Sequence, residues 1–130
     1  MTITISTASY LCDDIEALSS FYADVFGFPE LTDFRSDIFV GLDVDGLMLG
    51  FSDKAAYELL QIQAWADAKG TKQYLTFEAP TDEQVSALTA AAVEHGATIV
   101  HEPYETYYGA FQVVLSDPEG NVFRINNYHS

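Results

Sequence analysis

Residues 109–127 are GAFQVVLSDPEGNVFRINN, and this stretch predicts two β-strands joined by a tight turn. Apolar and polar residues alternate along both arms, which is the two-residue period of a strand with one buried face. In the turn, Pro118 fixes φ at the first corner, Asp117 can accept a hydrogen bond from the backbone, and Gly120 permits a positive φ. We therefore predict a well-defined hairpin in this part of the chain.

The first half of the chain predicts a strand, a helix and three further strands. Residues 2–12 are rich in β-branched side chains, and Asp13 or Asp14 can then cap a helix that ends at Gly27. The spacing of apolar residues within that helix is amphipathic, so one side must pack on a sheet. The later strands are predicted at Leu31–Phe34, Ile38–Val44 and Leu47–Phe51, the last two joined by an Asp45-Gly46 turn.

The same order recurs in the second half, about 69 residues later. A strand is predicted at Lys72–Ala79, then a helix capped by Thr81 or Asp82 and stopped at Gly96, then a strand at Thr98–His101. A loop, EPYETYYG at 102–109, leads into the hairpin described above. Residues 52–70 form a connector without a clean strand period, and its large apolar side chains predict that it covers another surface.

Three motifs in this order resemble the vicinal oxygen chelate superfamily, which comprises glyoxalases, bleomycin-resistance proteins and extradiol dioxygenases. They are DDIEALSSFYADVFGF at 13–28, TFEAPTDEQVSALTAAAVEHGATIV at 76–100 and SDPEGNVFRI at 116–125. The resemblance implies an α+β fold, in which two tandem βαβββ modules form a cup-shaped mixed sheet. We expect a single domain over 1–130, with module 1 at 1–51, a connector at 52–70 and module 2 at 71–130.

In the enzymes of this superfamily, His and Glu side chains on the inward strand faces hold a divalent metal. The resemblance places the corresponding positions of this chain at Thr7, Gly50, Tyr74 and Arg124, and none of these is an ordinary metal ligand. The histidines His95, His101 and His129 fall at a helix end, beside the loop and near the last residue. We therefore predict no metal, no cofactor and no catalytic residues.

An aromatic and polar lining takes the place of the metal ligands in this prediction. Strand alternation puts Arg124 inside the cup, where it needs either an internal carboxylate or an anionic group of the ligand. Glu78 is the nearest inward carboxylate. The predicted ligand-binding residues are Thr7, Ser9, Trp65, Tyr74, Thr76, Glu78, Tyr104, Tyr107, Tyr108, Gln112, Arg124 and Asn126.

These residues favour a metal-free small-molecule-binding protein that resembles the bleomycin-resistance branch. It would sequester a small aromatic or cationic ligand in a cleft of a homodimer. One alternative is a metal-dependent lyase or isomerase, or a ring-cleaving dioxygenase, of the same superfamily. Another is a structural or regulatory dimer with no small ligand. Fold alone does not decide between these functions.

The net charge and the length of the apolar runs make some classes of binding partner improbable for this chain. Five basic and twenty acidic residues give a formal net charge of −15, which disfavours nucleic acid and anionic membrane surfaces. The apolar runs are shorter than the ~18 residues of a membrane span, and the first residues lack a signal-peptide pattern. We therefore expect a cytoplasmic protein.

We also expect a homodimer, because the apolar connector and the unpaired edges of the predicted sheets would otherwise be exposed.

Overall fold

The computed structural model describes residues 1–129. Its contacts divide the chain into two compact units, one of residues 1–69 and one that begins at residue 70. The first unit contains β1 (Thr7–Cys12), α1 (Ile15–Phe26), β2 (Phe39–Val44), β3 (Leu47–Asp53) and α2 (Ala55–Leu59). The second contains β4 (Leu75–Glu78), α3 (Asp82–Glu94), β5 (Thr98–Glu105), β6 (Ala110–Ser116) and β7 (Val122–Tyr128). The expected α+β class is confirmed.

No helix among residues 1–129 has both the length and the apolar character that a membrane crossing would require.

The first unit is a three-stranded sheet in the order β1-β3-β2, packed against α1. β1 runs parallel to β3, and β2 and β3 form the antiparallel hairpin. As predicted, Asp14 caps α1 by accepting a hydrogen bond from the Ala17 backbone N–H at 3.0 Å, and Gly27 ends the helix with φ 76°. The buried side of α1 carries large apolar and aromatic side chains, so the helix supplies much of this unit's core.

The strand predicted at Leu31–Phe34 is wrong. Residues Thr32–Phe34 form a 3₁₀ turn instead, and the preceding residue Glu30 makes a single β-bridge, to Leu42. The backbone N–H of Leu31 does bond to the Gly41 carbonyl, but the Phe34 N–H turns back to the Leu31 carbonyl. A strand here would need further residues after Glu30 to pair with β2, and the 3₁₀ turn ends this pairing after one bridge.

The connector contains more helix than its sequence predicts. It forms α2 and a 3₁₀ turn at Gln63–Trp65. Leu59, Leu60 and Trp65 are all exposed, at 64% to 68% of their surface. These apolar side chains are therefore uncovered within residues 1–129.

The second unit is a four-stranded sheet in the order β4-β7-β6-β5. β4 runs parallel to β7, and the other neighbours are antiparallel, with the predicted hairpin formed by β6 and β7. β5 is longer than predicted, because the pairing with β6 continues through Tyr104 and Glu105 after two register shifts. Half of the predicted loop at 102–109 is thus strand. Thr81 caps α3 by accepting from the Gln84 N–H at 3.1 Å, as predicted.

The strand alternation gives this second sheet two different faces. Val113, Leu115, Phe123 and Ile125 are fully buried and form the core with α3. The opposite face carries the polar positions of β4, β6 and β7, and we call it the polar face. Its register pairs are Thr76 with Arg124, Glu78 with Asn126, and Asn126 with Gln112.

Candidate functional site

Arg124 is the centre of a hydrogen-bonded group on the polar face. Its Nε donates to Thr76 Oγ1 at 2.9 Å, and its Nη1 donates to Gln112 Oε1 at 2.9 Å and to the Tyr108 hydroxyl at 3.2 Å. Its Cζ atom lies 4.9 Å from the centre of the Tyr74 ring, which is cation–π distance. Strands β4, β6 and β7 and the loop before β6 thus converge on one guanidinium.

Gln112 links the guanidinium to two tyrosines. Its Nε2 donates to the Tyr104 hydroxyl at 2.7 Å, and its Oε1 accepts from the Tyr108 hydroxyl at 2.6 Å. The Gln112 side chain is buried, so these bonds satisfy an amide that would otherwise be costly to enclose. We call these connected residues the Arg124 network: Tyr74, Thr76, Tyr104, Tyr108, Gln112 and Arg124.

No carboxylate among residues 1–129 forms an ion pair with Arg124. The expected pair with Glu78 is not formed, because Glu78 Oε2 accepts from the Tyr128 backbone N–H at 2.6 Å. The other arginine, Arg35, differs sharply. It binds Glu30 through Nε at 2.7 Å and also pairs with Glu16, and these hydrogen bonds raise the pKa of Arg35 above its ordinary value. Arg124 therefore carries its charge among neutral acceptors.

Asn126 lies two residues along β7 from Arg124, on the same face. Its side chain is 6% exposed, and its Oδ1 atom is buried with no hydrogen-bond partner among the described residues. An unpartnered buried acceptor costs about 1 to 3 kcal/mol. The polar face therefore presents one uncompensated charge and one unsatisfied acceptor side by side.

The remaining predicted site residues lie outside this network. Thr7 and Ser9 are on β1 of the first unit, and Thr7 Oγ1 lies 3.4 Å from Ser6 Oγ. Trp65 is exposed on its 3₁₀ turn, and the Tyr107 side chain is fully exposed. Within the second unit, the structure therefore groups six of the predicted positions, and Tyr107 is not among them.

Sequence reasoning missed two aromatic neighbours of the network. The His101 ring lies 3.9 Å from the Tyr104 ring, and Tyr128 stacks on Tyr108 with 6.3 Å between ring centres. Tyr128 could have been found, because it continues the alternation of Arg124 and Asn126 along β7. His101 could not, because the register shifts in β5 decide which way its side chain points.

The four positions that correspond to metal ligands do not fit a metal. Thr7, Tyr74 and Arg124 offer no imidazole or carboxylate. At Gly50, a Cβ atom would lie 2.6 Å from Ser9 Oγ and 2.8 Å from the Phe39 ring. Even if a carboxylate side chain were placed there, it would collide with its neighbours.

A separate group of potential metal ligands lies near the start of α3. Asp82, Glu105 and His129 have ligand atoms within 4.8 Å of one another. His129 Nε2 lies 2.6 Å from Asp82 Oδ1, and His129 Nδ1 lies 3.5 Å from Glu105 Oε1. Glu105 follows Tyr104 on β5, so this group belongs to the side of the sheet opposite the polar face. Both ring nitrogens of His129 are already in contact with these two carboxylates.

These contacts shift the pKa values of Asp82 and His129. Hydrogen bonds from Asn127 and then from His129 lower the pKa of the Asp82 carboxyl, and the bond to Asp82 raises the pKa of the His129 ring. The His129 contribution to stability is present below its unfolded pKa of about 6.5 and is lost as pH rises through the raised folded value. The Asp82 contribution is present above about 3.9 and is lost as pH falls through its lowered folded value.

We expect the pKa of His129 to fall when Asp82 is replaced by Asn, because the largest cause of its increase is then removed. Proton NMR titration of the His129 ring in both proteins measures this directly. Glu105→Gln is the matched control and should lower the same pKa by less, because its contact is longer. Equal His129 pKa values in the parent and in Asp82→Asn would contradict the contact.

A cavity lies in the first unit. It has a volume of about 510 Å³ and is open to solvent. Its walls are the end of β1, α2 and the following 3₁₀ turn, and include Leu11, Tyr57 and Asp67. None of the predicted ligand-binding residues lines it, so it is distinct from the Arg124 network.

A protein-family model that describes the glyoxalase, bleomycin resistance protein and dioxygenase superfamily matches residues 4–125. The chain belongs to this superfamily. The match spans both units, so the family resemblance of the sequence motifs is confirmed. No curated protein sequence matches the chain significantly.

Solved structures of superfamily proteins are similar over nearly the whole chain. A glyoxalase/bleomycin resistance protein/dioxygenase family enzyme from Burkholderia phytofirmans PsJN has 46% sequence identity and a TM-score of 0.93, covering 95% of this chain and 98% of its own. A glyoxalase-related enzyme from Fulvimarina pelagi has 18% identity and a TM-score of 0.79, with coverages of 95% and 87%. A lactoylglutathione lyase from Agrobacterium tumefaciens has 21% identity and a TM-score of 0.70, with coverages of 98% and 95%. The last two likenesses show the fold alone.

Proposed function

We propose that this superfamily member binds a small aromatic molecule on the polar face of its second unit, without a metal. The observation that carries the proposal is Arg124. It stands where the resemblance places a metal-binding glutamate, and a guanidinium there would repel a divalent cation. Its hydrogen bonds to Thr76 and Gln112 hold it in one orientation, as a ligand-positioning group requires.

The aromatic residues support the ring part of this proposal. Tyr74 is half exposed beside the guanidinium, and Tyr108 is anchored by hydrogen bonds and by stacking on Tyr128. Such rings offer stacking surfaces for a flat molecule. A cationic ligand, the other class predicted from sequence, would meet Arg124 at the position where it should bind. The aromatic alternative is therefore favoured.

Catalysis is the second candidate function. The relative from Burkholderia phytofirmans, at 46% identity, is described as an enzyme. A lyase, isomerase or ring-cleaving dioxygenase of this superfamily would use a divalent metal, and the four corresponding positions of this chain do not fit one. We therefore derive no catalytic step.

The proposal is tested by NMR titration of isotope-labelled protein with a library of small acidic, neutral and cationic aromatic fragments. We expect hits that shift the side-chain signals of Arg124 Nε and Gln112 Nε2, with equal affinity in EDTA and in added zinc, manganese or iron(II). His129→Gln removes one of the three potential metal ligands near α3, so it is a control for metal bound by Asp82, Glu105 and His129. The proposal would be refuted if no fragment moved these signals. It would also be refuted if fragment binding required metal in both the parent protein and His129→Gln.

We further propose that the protein is a homodimer, with part of each ligand cleft supplied at the interface. Each sheet taken by itself has two edge strands, and large apolar side chains remain exposed, including Trp65 and Tyr107.

Sedimentation velocity at micromolar concentration is expected to give a dimer, because these surfaces would otherwise face water. Trp65→Ser and Tyr107→Ser, tested singly, show which patch contributes to the association. A monomer at all concentrations up to about 100 μM, where even weak dimers with Kd near 1 μM would form, would refute the dimer.

A further inference from the structure

Arg124 has no anionic partner among residues 1–129. The chain has twenty acidic residues, and Arg35 shows how readily they pair with an arginine. Yet the acceptors of Arg124 are a hydroxyl, an amide oxygen and a phenol, all neutral. A guanidinium forms its strongest hydrogen bonds with an oxyanion.

The geometry leaves donors available for such an oxyanion. Nε and Nη1 of Arg124 are used within the network, whereas Nη2 has no acceptor among residues 1–129. Arg124 is also partly exposed, so a ligand can reach it. The bonds to Thr76 and Gln112 fix the plane of the guanidinium in advance, which reduces the entropy lost on binding.

Asn126 is a second, independent indication of a ligand. Its buried Oδ1 has no partner, although more than nine-tenths of the side chain is enclosed. An acceptor of this kind needs an N–H or O–H group from a water or from a ligand, and a ligand group reaches it once the side chains that cover it move. Because side chains two residues apart on a strand are about 7 Å apart, Asn126 and Arg124 can contact opposite ends of one six-membered ring.

We infer that the polar face binds an aromatic carboxylic acid that carries a hydrogen-bond donor across the ring. The carboxylate accepts from Arg124 Nη2, the donor bonds to Asn126 Oδ1, and the ring lies against Tyr74 or Tyr108. This inference rests on the proposed function and specifies its ligand class. The ligand class follows from the charge of Arg124 and from its spacing to Asn126.

The net charge of −15 opposes the approach of any anion, and this effect must be separated from binding itself. At 0.15 M salt the Debye length is about 8 Å, so distant carboxylates are largely screened while a direct contact with Arg124 is not. The test is therefore made at that ionic strength.

The probes are 4-aminobenzoate, benzoate, 4-aminobenzamide and 4-aminobenzylamine, titrated into the whole protein by calorimetry and by NMR. We expect 4-aminobenzoate to bind most tightly. The neutral amide should bind about tenfold to a hundredfold more weakly, because it loses a charge-assisted bond to arginine. Benzoate should be about tenfold weaker, because it leaves Asn126 Oδ1 unsatisfied.

Variants assign these differences to residues. Arg124→Met should abolish the preference for the acid over the amide, and Arg124→Lys should retain part of it because the charge remains. Asn126→Leu should remove the advantage of 4-aminobenzoate over benzoate. Arg35→Met is the matched control, since it removes the other arginine, and should leave both preferences intact.

Comparison of the acid and the amide in the parent protein needs no variant, so the inference can fail even if Arg124→Met does not fold. Equal affinities for acid and amide, or an acid preference that survives Arg124→Met, would overturn it. If only the amide or the amine shifts the Gln112 Nε2 signal, the ligand class is wrong while the proposed binding site stands. If no probe binds but other aromatic fragments shift that signal, the ligand class is again wrong. If no aromatic fragment of any charge does so, both fail.

Discussion

Replacement of Asp117 by alanine is expected to lower the free energy of unfolding by about 3 kcal/mol. The Asp117 side chain is 4% exposed and organises the turn between β6 and β7. Its Oδ1 accepts from the backbone N–H of Glu119 at 2.9 Å and of Asn121 at 3.0 Å, and its Oδ2 accepts from Asn121 Nδ2 at 3.0 Å. Hydrogen bonds to a charged group contribute about 1.5 to 3 kcal/mol each, and a buried donor left unpaired costs a similar amount.

Urea unfolding followed by circular dichroism measures this change. Asp43→Ala is the matched control, because Asp43 also accepts a hydrogen bond within a hairpin turn, from the Gly46 N–H at 3.0 Å. That turn is exposed and has one such bond, so the control should cost less than about 1 kcal/mol. An Asp117 variant no less stable than the Asp43 variant would show that the turn is held by its proline and glycine rather than by the carboxylate.

Much of the second unit could be predicted because its signals are local. The turn residues and the helix cap at Thr81 each act within a few positions. Strand alternation then assigned Thr76, Gln112 and Arg124 to one face, because that periodicity is fixed once one face is buried. The shared orientation of these three side chains follows from these local rules.

The partners within that face could not be predicted in the same way. Glu78 and Arg124 were correctly placed on one face, but the choice of hydrogen-bond partner depends on side-chain reach across strands. Thr76 is directly opposite Arg124 in the register, whereas Glu78 reaches the Tyr128 backbone at the end of β7. Similarly, Asp82 and His129 are 47 positions apart, and no local pattern joins them.

The second large effect is expected at Gly50, on β3 of the first unit. Gly-to-Ala replacement within a strand would ordinarily stabilise a protein by about 0.5 to 1 kcal/mol. Here the new Cβ would lie 2.8 Å from two atoms of the Phe39 ring and 2.6 Å from Ser9 Oγ. Overpacking of this kind costs about 1 to 3 kcal/mol, which is more than the stabilisation that replacing a glycine would ordinarily give. Gly50→Ala should therefore lower the free energy of unfolding by about 2 kcal/mol.

Gly41 provides the matched control, because it is the register partner of Gly50 on β2. A Cβ at Gly41 would meet Met48 Sδ at 2.5 Å and Phe39 Cε2 at 3.2 Å. The thioether can rotate away at little cost, and the contact with the ring is longer than the 2.8 Å contact at Gly50. Gly41→Ala should therefore cost less than Gly50→Ala in the same urea experiment. Gly50→Ala in a Phe39→Ala background should regain part of the loss, since the rigid ring is then gone. Additive effects of the two substitutions would show that Phe39 is not the obstacle.

The result at Gly50 also bears on metal binding, because the family resemblance places a metal-ligand position here. If alanine is already destabilising, the longer side chain of Gly50→Glu must displace Phe39 before its carboxylate can point towards a metal. We expect Gly50→Glu alone to lose stability without gaining zinc affinity in calorimetry. Retained stability with one tight zinc site per chain would mean that the first unit is still compatible with a metal centre. The metal-free proposal would then depend on Thr7, Tyr74 and Arg124 alone.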